Sequence, residues 1–216
     1  MRKYKILNLY ACLGGNRYKW DDVHDNIEVT AIELDTELAR MYKERFPNDI
    51  VIVADAHQYL LDNYKGFDFI WSSPPCPTHS RARFARKETT TEVYADMKLY
   101  QEIILLKHSF KGLYCIENVI PYYKPLIPAQ KRGRHLYWSN FKLPGVLSNR
   151  KNNFMEGKNE VAKWCEFHDY DFTKYKGTQR KDKIARNLVD YEAGRTILET
   201  ALNIQKAKDI KQTTLF

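Results

Sequence analysis

No stretch of this chain approaches the run of about 20 apolar residues that a membrane-spanning helix requires. The opening Met1-Arg2-Lys3-Tyr4-Lys5 passes straight into strand-like sequence, with no signal-peptide hydrophobic region. Neither a membrane protein nor a secreted one is expected. Cysteine is sparse: Cys12, Cys76, Cys115 and Cys165 are widely spaced and form no Cys-x-x-Cys pair, which argues against a zinc knuckle and a disulfide framework. Cys165 and His168 make one Cys-x-x-His half-site without a second half, so no metal is expected. Unpaired thiols suit a reducing cytoplasm. The chain also has no internal repeat and no low-complexity linker.

Its 216 residues are enough for one substantial domain with at most an appendage. Against 27 Asp+Glu stand 35 Lys+Arg, the pI is near 9.2, and aromatics make up 13%. That balance suits a protein that meets polyanions, although basic charge by itself usually means a solvated surface. A monomer is expected.

Apolar strand-like runs alternate with helical periodicity, the pattern of an α/β sheet covered on both faces. Strands are expected at Tyr4 to Tyr10, Val29 to Leu34, Ile50 to Ala54, Phe67 to Trp71, Leu113 to Glu117 and His135 to Phe141. Helices are expected from Asp35 to Phe46, stopped by Pro47, and from Glu92 to Phe110. Residues 142–183 are polar, with scattered aromatics and no sustained period. They read as a long insertion or a minimal subdomain. Helical spacing returns from Lys183 to Lys208 through Ile184, Leu188, Tyr191, Ile197, Leu198 and Leu202, so that helix should pack back on the sheet.

The most chemically loaded stretch is Phe67-Asp68-Phe69-Ile70-Trp71 running into Ser72-Ser73-Pro74-Pro75-Cys76-Pro77. Consecutive prolines fix the backbone and restrict the residue before each, so a thiol presented there is held still. Taken alone, Cys76 is as readily a small core hydrophobe. Further on come Ile116-Glu117-Asn118-Val119 and Gln130-Lys131-Arg132-Gly133-Arg134. Taken singly, Glu117 reads as a strand-end acid in a surface ion pair, and Arg132 and Arg134 as surface charge.

Near the N-terminus, the first strand runs into Gly14-Gly15. A glycine turn beyond a parallel strand lets backbone approach a ligand, and the acid Glu33 at the end of the next strand favours a nucleoside. Glu33 is placed to accept both ribose hydroxyls of an adenosyl group, and Asp55, ending the third strand, to bond the adenine amino group.

These blocks, in this order, resemble those of the C5-cytosine DNA methyltransferases: Asn8-Leu9-Tyr10-Ala11-Cys12-Leu13-Gly14-Gly15, then Pro75-Cys76, Glu117-Asn118-Val119 and Gln130-x-Arg132-x-Arg134. The resemblance runs from about Lys5 to Phe141, with a weaker echo at Arg186-Asn187-Leu188-Val189. It implies a class I S-adenosylmethionine-dependent methyltransferase: a Rossmann-like sheet with helices on both faces and a small recognition insertion. The implied division is a catalytic core at 1–141, a reduced target-recognition segment at 142–183, a returning helix at 184–208 and a tail at 209–216. The implied cofactor is S-adenosylmethionine, at Tyr10, Ala11, Leu13, Gly14, Gly15, Glu33, Leu34, Asp55, Ala56, Ser73, Pro75 and Asn187. Cys76 would be the nucleophile, Glu117 the acid at ring nitrogen 3, and Arg134 with Arg132 a brace for the base, its phosphate or Glu117. Arginines of that block would also lower the Cys76 pKa.

This chain departs from the family pattern in places. Asn8 stands for the usual aspartate and Cys12 for the first glycine of the loop, so Cys12, which has a Cβ, is expected to avoid the left-handed region. Pro77 stands for glutamine, and His79-Ser80 for an aromatic-serine pair, which puts sequence preference in doubt.

A base inside a duplex is out of reach of Cys76, so the target must be flipped or single-stranded. Nucleic acid is expected to meet Arg81, Arg83, Arg86 and Lys87, Gln130, and a recognition segment carrying Lys151, Lys158, Lys163, Lys174, Lys176, Arg180 and Lys181. Its aromatics, Trp164, Phe167, Tyr170 and Tyr175, are either stacking platforms for bases or a small aromatic core. The leading reading is a compact DNA cytosine-C5 methyltransferase of the phage and bacterial kind, in a bacterial cytoplasm, as in restriction-modification. An RNA (tRNA) cytosine-C5 methyltransferase and a non-catalytic nucleic-acid-binding relative are the alternatives. The C-terminal Gln212-Thr213-Thr214-Leu215-Phe216 resembles the peptides that dock on sliding clamps through Gln212, Leu215 and Phe216.

Overall fold

The computed structural model describes residues 2–81, 91–150 and 159–213, with side chains to residue 204. The expected contacts at Arg83, Arg86, Lys87, Lys151 and Lys158, and the clamp anchors Leu215 and Phe216, lie outside the described residues, as does the side chain of Gln212.

Five parallel strands, β1 (Tyr4–Leu9), β2 (Ile27–Glu33), β3 (Ile50–Val53), β4 (Phe69–Ser72) and β5 (Leu113–Val119), are joined by β6 (Gln130–Arg132) and β7 (His135–Ser139). The seven-stranded order is β3-β2-β1-β4-β5-β7-β6, with β7 antiparallel to both of its neighbours. The order reverses between β1 and β4. In such a sheet the crevice beyond the carboxyl ends at the reversal is where a ligand sits. The expected α/β, Rossmann-like fold is therefore observed.

Side chains alternate across the sheet because the strand period is two. Leu7, Leu9, Ile70 and Ile116 face α2 (Ala56–Asn63) and α3 (Lys98–Ser109), where Leu60, Leu99, Ile103 and Leu106 are buried against them. Ile6, Phe69, Trp71 and Cys115 face the other way, onto Ala193, Ile197, Leu198 and Ala201 of α6 (Tyr191–Thr213). Both faces are thus covered, and near-continuous apolar strands are what such a sheet requires.

Two helices begin at the ends of strands with an aspartate cap. Asp35 accepts the N–H groups of Glu37 and Leu38 at the start of α1 (Thr36–Arg45), and Asp55 those of His57 and Gln58 at the start of α2. Each cap is worth about 1 kcal/mol. They fix the strand ends from which Glu33 and Asp55 project.

Several elements differ from expectation: α2 and β6 stand where none was expected. The helix α3 starts at Lys98 rather than Glu92, because the Asp96 N–H is taken by the Thr78 hydroxyl at 3.0 Å instead of a helical carbonyl. The single helix expected from Lys183 is broken into α5 (Lys181–Asn187) and α6, since Asp190 restarts the helix by accepting the Glu192 N–H at 2.9 Å. Residues 142–183, read as a long insertion or a minimal subdomain, contain among the described residues α4 (Glu160–Phe167) and a buried aromatic cluster. Trp164, Phe172 and Tyr175 pack there with Ile184, Ala185 and Leu188 onto Leu13, Leu38 and Met41. Of the two readings of these aromatics, Trp164 and Tyr175, each 5% exposed, follow the core one. They roof the glycine loop.

Candidate active site

The loop after β1 turns sharply. Tyr10, Cys12 and Gly14 all have positive φ, at 57°, 48° and 67°. Cys12 therefore adopts the left-handed conformation it was expected to avoid, at a cost on the order of 1–3 kcal/mol. The surrounding bonds over-determine it: the Cys12 N–H donates to Glu33 Oε2 at 2.7 Å, and its side chain is buried in the cluster above the loop. Gly14 admits no replacement, because a Cβ there would stand 2.4 Å from the Phe46 ring. A Cβ on Gly15 would stand 2.5 Å from the carbonyl of Val189, so the break between α5 and α6 is pressed directly on this loop. Asn187, the last residue of α5, is exposed beside that contact.

Asn8, in the place of an acid, is fully buried and accepts from the Asn16 amide at 2.8 Å. Arg45 donates to the Leu13 carbonyl at 2.9 Å and clamps the loop from α1. Burial brings its pKa down to about 10.

Residues that fit an adenosyl group stand along this edge. Glu33 accepts the N–H groups of Cys12 and Asp35, and a carboxylate has about four lone-pair sites, which leaves capacity for ribose hydroxyls. Burial holds its pKa above the ordinary carboxylate value. Leu34 next to it is 69% exposed, an apolar surface suited to the face of a purine. Asp55 spends Oδ1 on its helix cap, while Oδ2 lies 3.5 Å from Lys98 Nζ. The hydrogen bond from Gln58, with the Lys98 charge, lowers its pKa. Ala56 is buried at the first position of α2, Ser73 accepts from the Trp71 indole at 2.8 Å, and Pro75 is exposed at the crevice end of β4.

The second loop is equally fixed. His79 and Ser80 N–H groups both donate to the Cys76 carbonyl at 3.0 Å, and Tyr122 N–H donates to the His79 carbonyl at 3.1 Å. Asn118, 2% exposed, donates to the Pro74 carbonyl at 2.9 Å. That bond ties the Pro-Pro-Cys loop to the Glu-Asn-Val strand. It is a role that sequence reading did not assign to Asn118, although the residue lies within the motif.

Glu117, 8% exposed, shares this end with Cys76. Burial and then the Glu117 charge push the Cys76 thiol above its ordinary value; Lys183 on α5 pulls it down. Lys183 is thus a cation that favours the thiolate, one that the sequence reading did not name. Arg132 is turned away: its guanidinium donates to the carbonyls of Lys131, Leu143 and Pro144. Arg134 lies exposed on the tight turn between β6 and β7. His135, not foreseen, brings Nε2 to 3.5 Å from Glu117 Oε1.

Gln130 also has a different part from the one expected. Its amide donates to Ser139 and Phe141 and accepts from the Leu143 N–H, so it braces the sheet edge. Arg81 donates to the Pro121 carbonyl at 3.1 Å. Lys174 lies over the Tyr170 ring, and Arg180 pairs with Asp182 at 2.9 Å, both on exposed surface.

A raised thiol pKa has a direct consequence. Thiolate is the reactive form, so its fraction is small at neutral pH and rises about tenfold per pH unit until the raised pKa is passed. Iodoacetamide labelling of Cys76, followed by peptide mass spectrometry, is expected to be slow at pH 7 and to accelerate steadily beyond pH 9. A rate that levels off below pH 8 would contradict it.

An open, mostly parallel sheet with a strained glycine loop and strand-end acids at its switch point defines a Rossmann-like fold with a site shaped for a nucleoside-bearing ligand. Residues 4–120 match the model of the C-5 cytosine-specific DNA methylase family, and the chain belongs to that family. No curated protein matches it. Among solved structures it is similar to a DNMT2 variant from Spodoptera frugiperda, with 22% identity over 54% of this chain and 36% of that one, TM-score 0.39. It is similar also to a putative DNA modification methyltransferase encoded within a prophage of E. coli, with 16% identity over 56% of this chain and 34% of that one, TM-score 0.39. The chain thus spans about a third of the length of these two proteins. A SAM-dependent methyltransferase from Agrobacterium tumefaciens gives 15% identity over 56% and 40%, TM-score 0.40. No described helix is long and apolar enough to cross a membrane.

Proposed function

We propose that the protein methylates carbon 5 of cytosine in DNA, acting on a base swung out of the helix, through a covalent bond to Cys76. The observation that carries the reading is the Asn118–Pro74 bond, which holds the thiol loop against the strand bearing Glu117. S-adenosylmethionine, when bound, supplies an electrophilic methyl group. Glu33, Leu34, Asp55 and Ala56 would hold its adenosine, with Tyr10, Ala11, Leu13, Gly14, Gly15, Ser73, Pro75 and Asn187 around the remainder.

Carbon 5 of cytosine is too poor a nucleophile to take that methyl unaided. Cys76 Sγ therefore adds to carbon 6, and the displaced ring electrons make carbon 5 nucleophilic. The neighbouring carboxylate supports a proton path: the thiol proton passes to Glu117, and Glu117 holds it at ring nitrogen 3 as the bond to sulfur forms. After methylation a water molecule takes the carbon 5 proton, the electrons of that bond re-form the carbon 5–carbon 6 double bond and expel Cys76 as thiolate, and ring nitrogen 3 returns its proton to Glu117. Arg134, on its exposed turn, would brace the base or its phosphate; Arg132 would act only by supporting that hairpin.

Bisulfite sequencing of DNA and tRNA from cells expressing the protein tests the reading. Methylated cytosine in DNA that disappears with Cys76→Ser is the expected result. Modification confined to tRNA would favour an RNA substrate, and modification of neither would favour a non-catalytic relative.

Arg81, Lys174 and Lys183 are exposed basic residues suited to phosphates. Affinity for a short duplex, read by fluorescence titration, should fall linearly on a log–log plot against salt as condensed ions are released. Salt-independent binding would contradict this. Docking of the C-terminal peptide on a sliding clamp is a separate proposal, checked by binding of purified clamp to the chain with and without Leu215 and Phe216.

A further inference from the structure

Glu102 lies in α3, in the middle of an apolar face, and is 1% exposed. A buried carboxylate is tolerated only where donors satisfy it. Three do so here, and each comes from a different element. Tyr10 Oη donates to Oε1 at 2.6 Å, Ser72 Oγ donates to Oε2 at 2.7 Å, and His57 Nδ1 lies 3.0 Å from Oε1. Tyr10 is the left-handed residue that opens the glycine loop. Ser72 ends β4 immediately before Ser73-Pro74-Pro75, and His57 sits in the first turn of α2, two residues after Asp55. These donors surround the crevice at the switch point.

We infer that Glu102 is a positioning residue for the cofactor site, joining the glycine loop, the end of β4 and the start of α2 into one preorganised cradle for S-adenosylmethionine. The Cys12–Glu33 bond already anchors the glycine loop to the end of β2; the Glu102 carboxylate adds the side-chain tie from that loop to the end of β4 and the start of α2. The raised pKa of His57, caused first by its bond to Glu102, fits a coupled cluster; Asp55, Lys98 and Tyr10 are the other polar groups around it. The inference rests on S-adenosylmethionine occupying this crevice, and goes beyond it by giving α3 a part in binding.

Calorimetry with S-adenosylmethionine alone, without nucleic acid, tests it on the full chain. Glu102→Ala should raise the Kd about tenfold or more, the effect of losing a charge-assisted bond within a network. Turnover at saturating cofactor should change far less than KM for the cofactor. Glu102→Gln keeps an oxygen for Tyr10 and His57 and can pair its amide with Ser72, so it should recover most of the affinity. Tyr10→Phe removes one donor and should fall between.

Wild-type affinity in Glu102→Ala overturns the inference, as does an equal loss in turnover and in cofactor KM. Should Glu102→Ala fail to fold, Ser72→Ala decides: weaker cofactor binding with unchanged melting supports the inference, and unchanged binding overturns it. Wild-type protein that binds no S-adenosylmethionine would remove the cofactor site itself, a result distinct from either.

Discussion

Replacing Cys76 by serine is expected to abolish methyl transfer while leaving S-adenosylmethionine binding nearly intact. A hydroxyl is far less acidic than a thiol and a weaker nucleophile toward carbon 6, and the loop that holds it is set by backbone bonds rather than by the thiol. The intermediate can be captured directly. An oligonucleotide containing 5-fluorocytosine carries fluorine where a proton must leave, so the sulfur–carbon bond formed in the presence of S-adenosylmethionine persists. Mass spectrometry should find the adduct on Cys76. Absence of an adduct, or its presence on Cys12, Cys115 or Cys165, overturns the covalent mechanism; Cys12 and Cys115 are buried, with pKa values pushed up chiefly by burial.

Glu117→Gln is expected to slow single-turnover transfer roughly a hundred- to ten-thousand-fold, the usual worth of a positioned general acid. DNA affinity should be unchanged. The same substitution has an opposite effect on the thiol: the Glu117 charge raises the Cys76 pKa, so removing it lowers the pKa and increases the thiolate fraction at any given neutral pH. Iodoacetamide should then label Cys76 faster in the Gln variant than in wild type. Slower transfer with faster alkylation separates a proton carrier from a residue that merely props the loop. Near-normal transfer with unchanged DNA affinity would make Glu117 structural.

Sequence order was enough to locate the glycine loop, the Pro-Pro-Cys turn, the Glu-Asn-Val strand and the parallel strands between them. Each is a local signal: glycine at tight turns, proline at a strand stop, apolar runs of strand length. The segment between β7 and α6 resisted such reading. Its cluster gathers Trp164, Phe172 and Tyr175 with Leu13, Leu38 and Met41, residues well over a hundred positions away, so no periodicity within the segment announces it. Cys12 failed for a related reason. Intrinsic preference opposes its left-handed backbone, but the Glu33 bond and the roof of α4 and α5 outweigh that preference.

Glu102 carried one sequence signal, a charge at the position where Leu99, Ile103 and Leu106 define a buried helical face. What it meets could not be read, since Tyr10, Ser72 and His57 converge only when β1, β4 and α2 are laid side by side. The direction in which Arg132 and Gln130 point was likewise set by the 141–144 backbone that offers them carbonyls and an N–H. Sequence alone determined where along the chain the strands β1 to β5 lie and which residues are candidates for the chemistry, because turn-forming residues and strand-length apolar runs act over a few positions. The tertiary structure decided which of those side chains are spent on holding the fold and which stand at the crevice, because hydrogen-bond partners and burial are properties of neighbours distant in the chain.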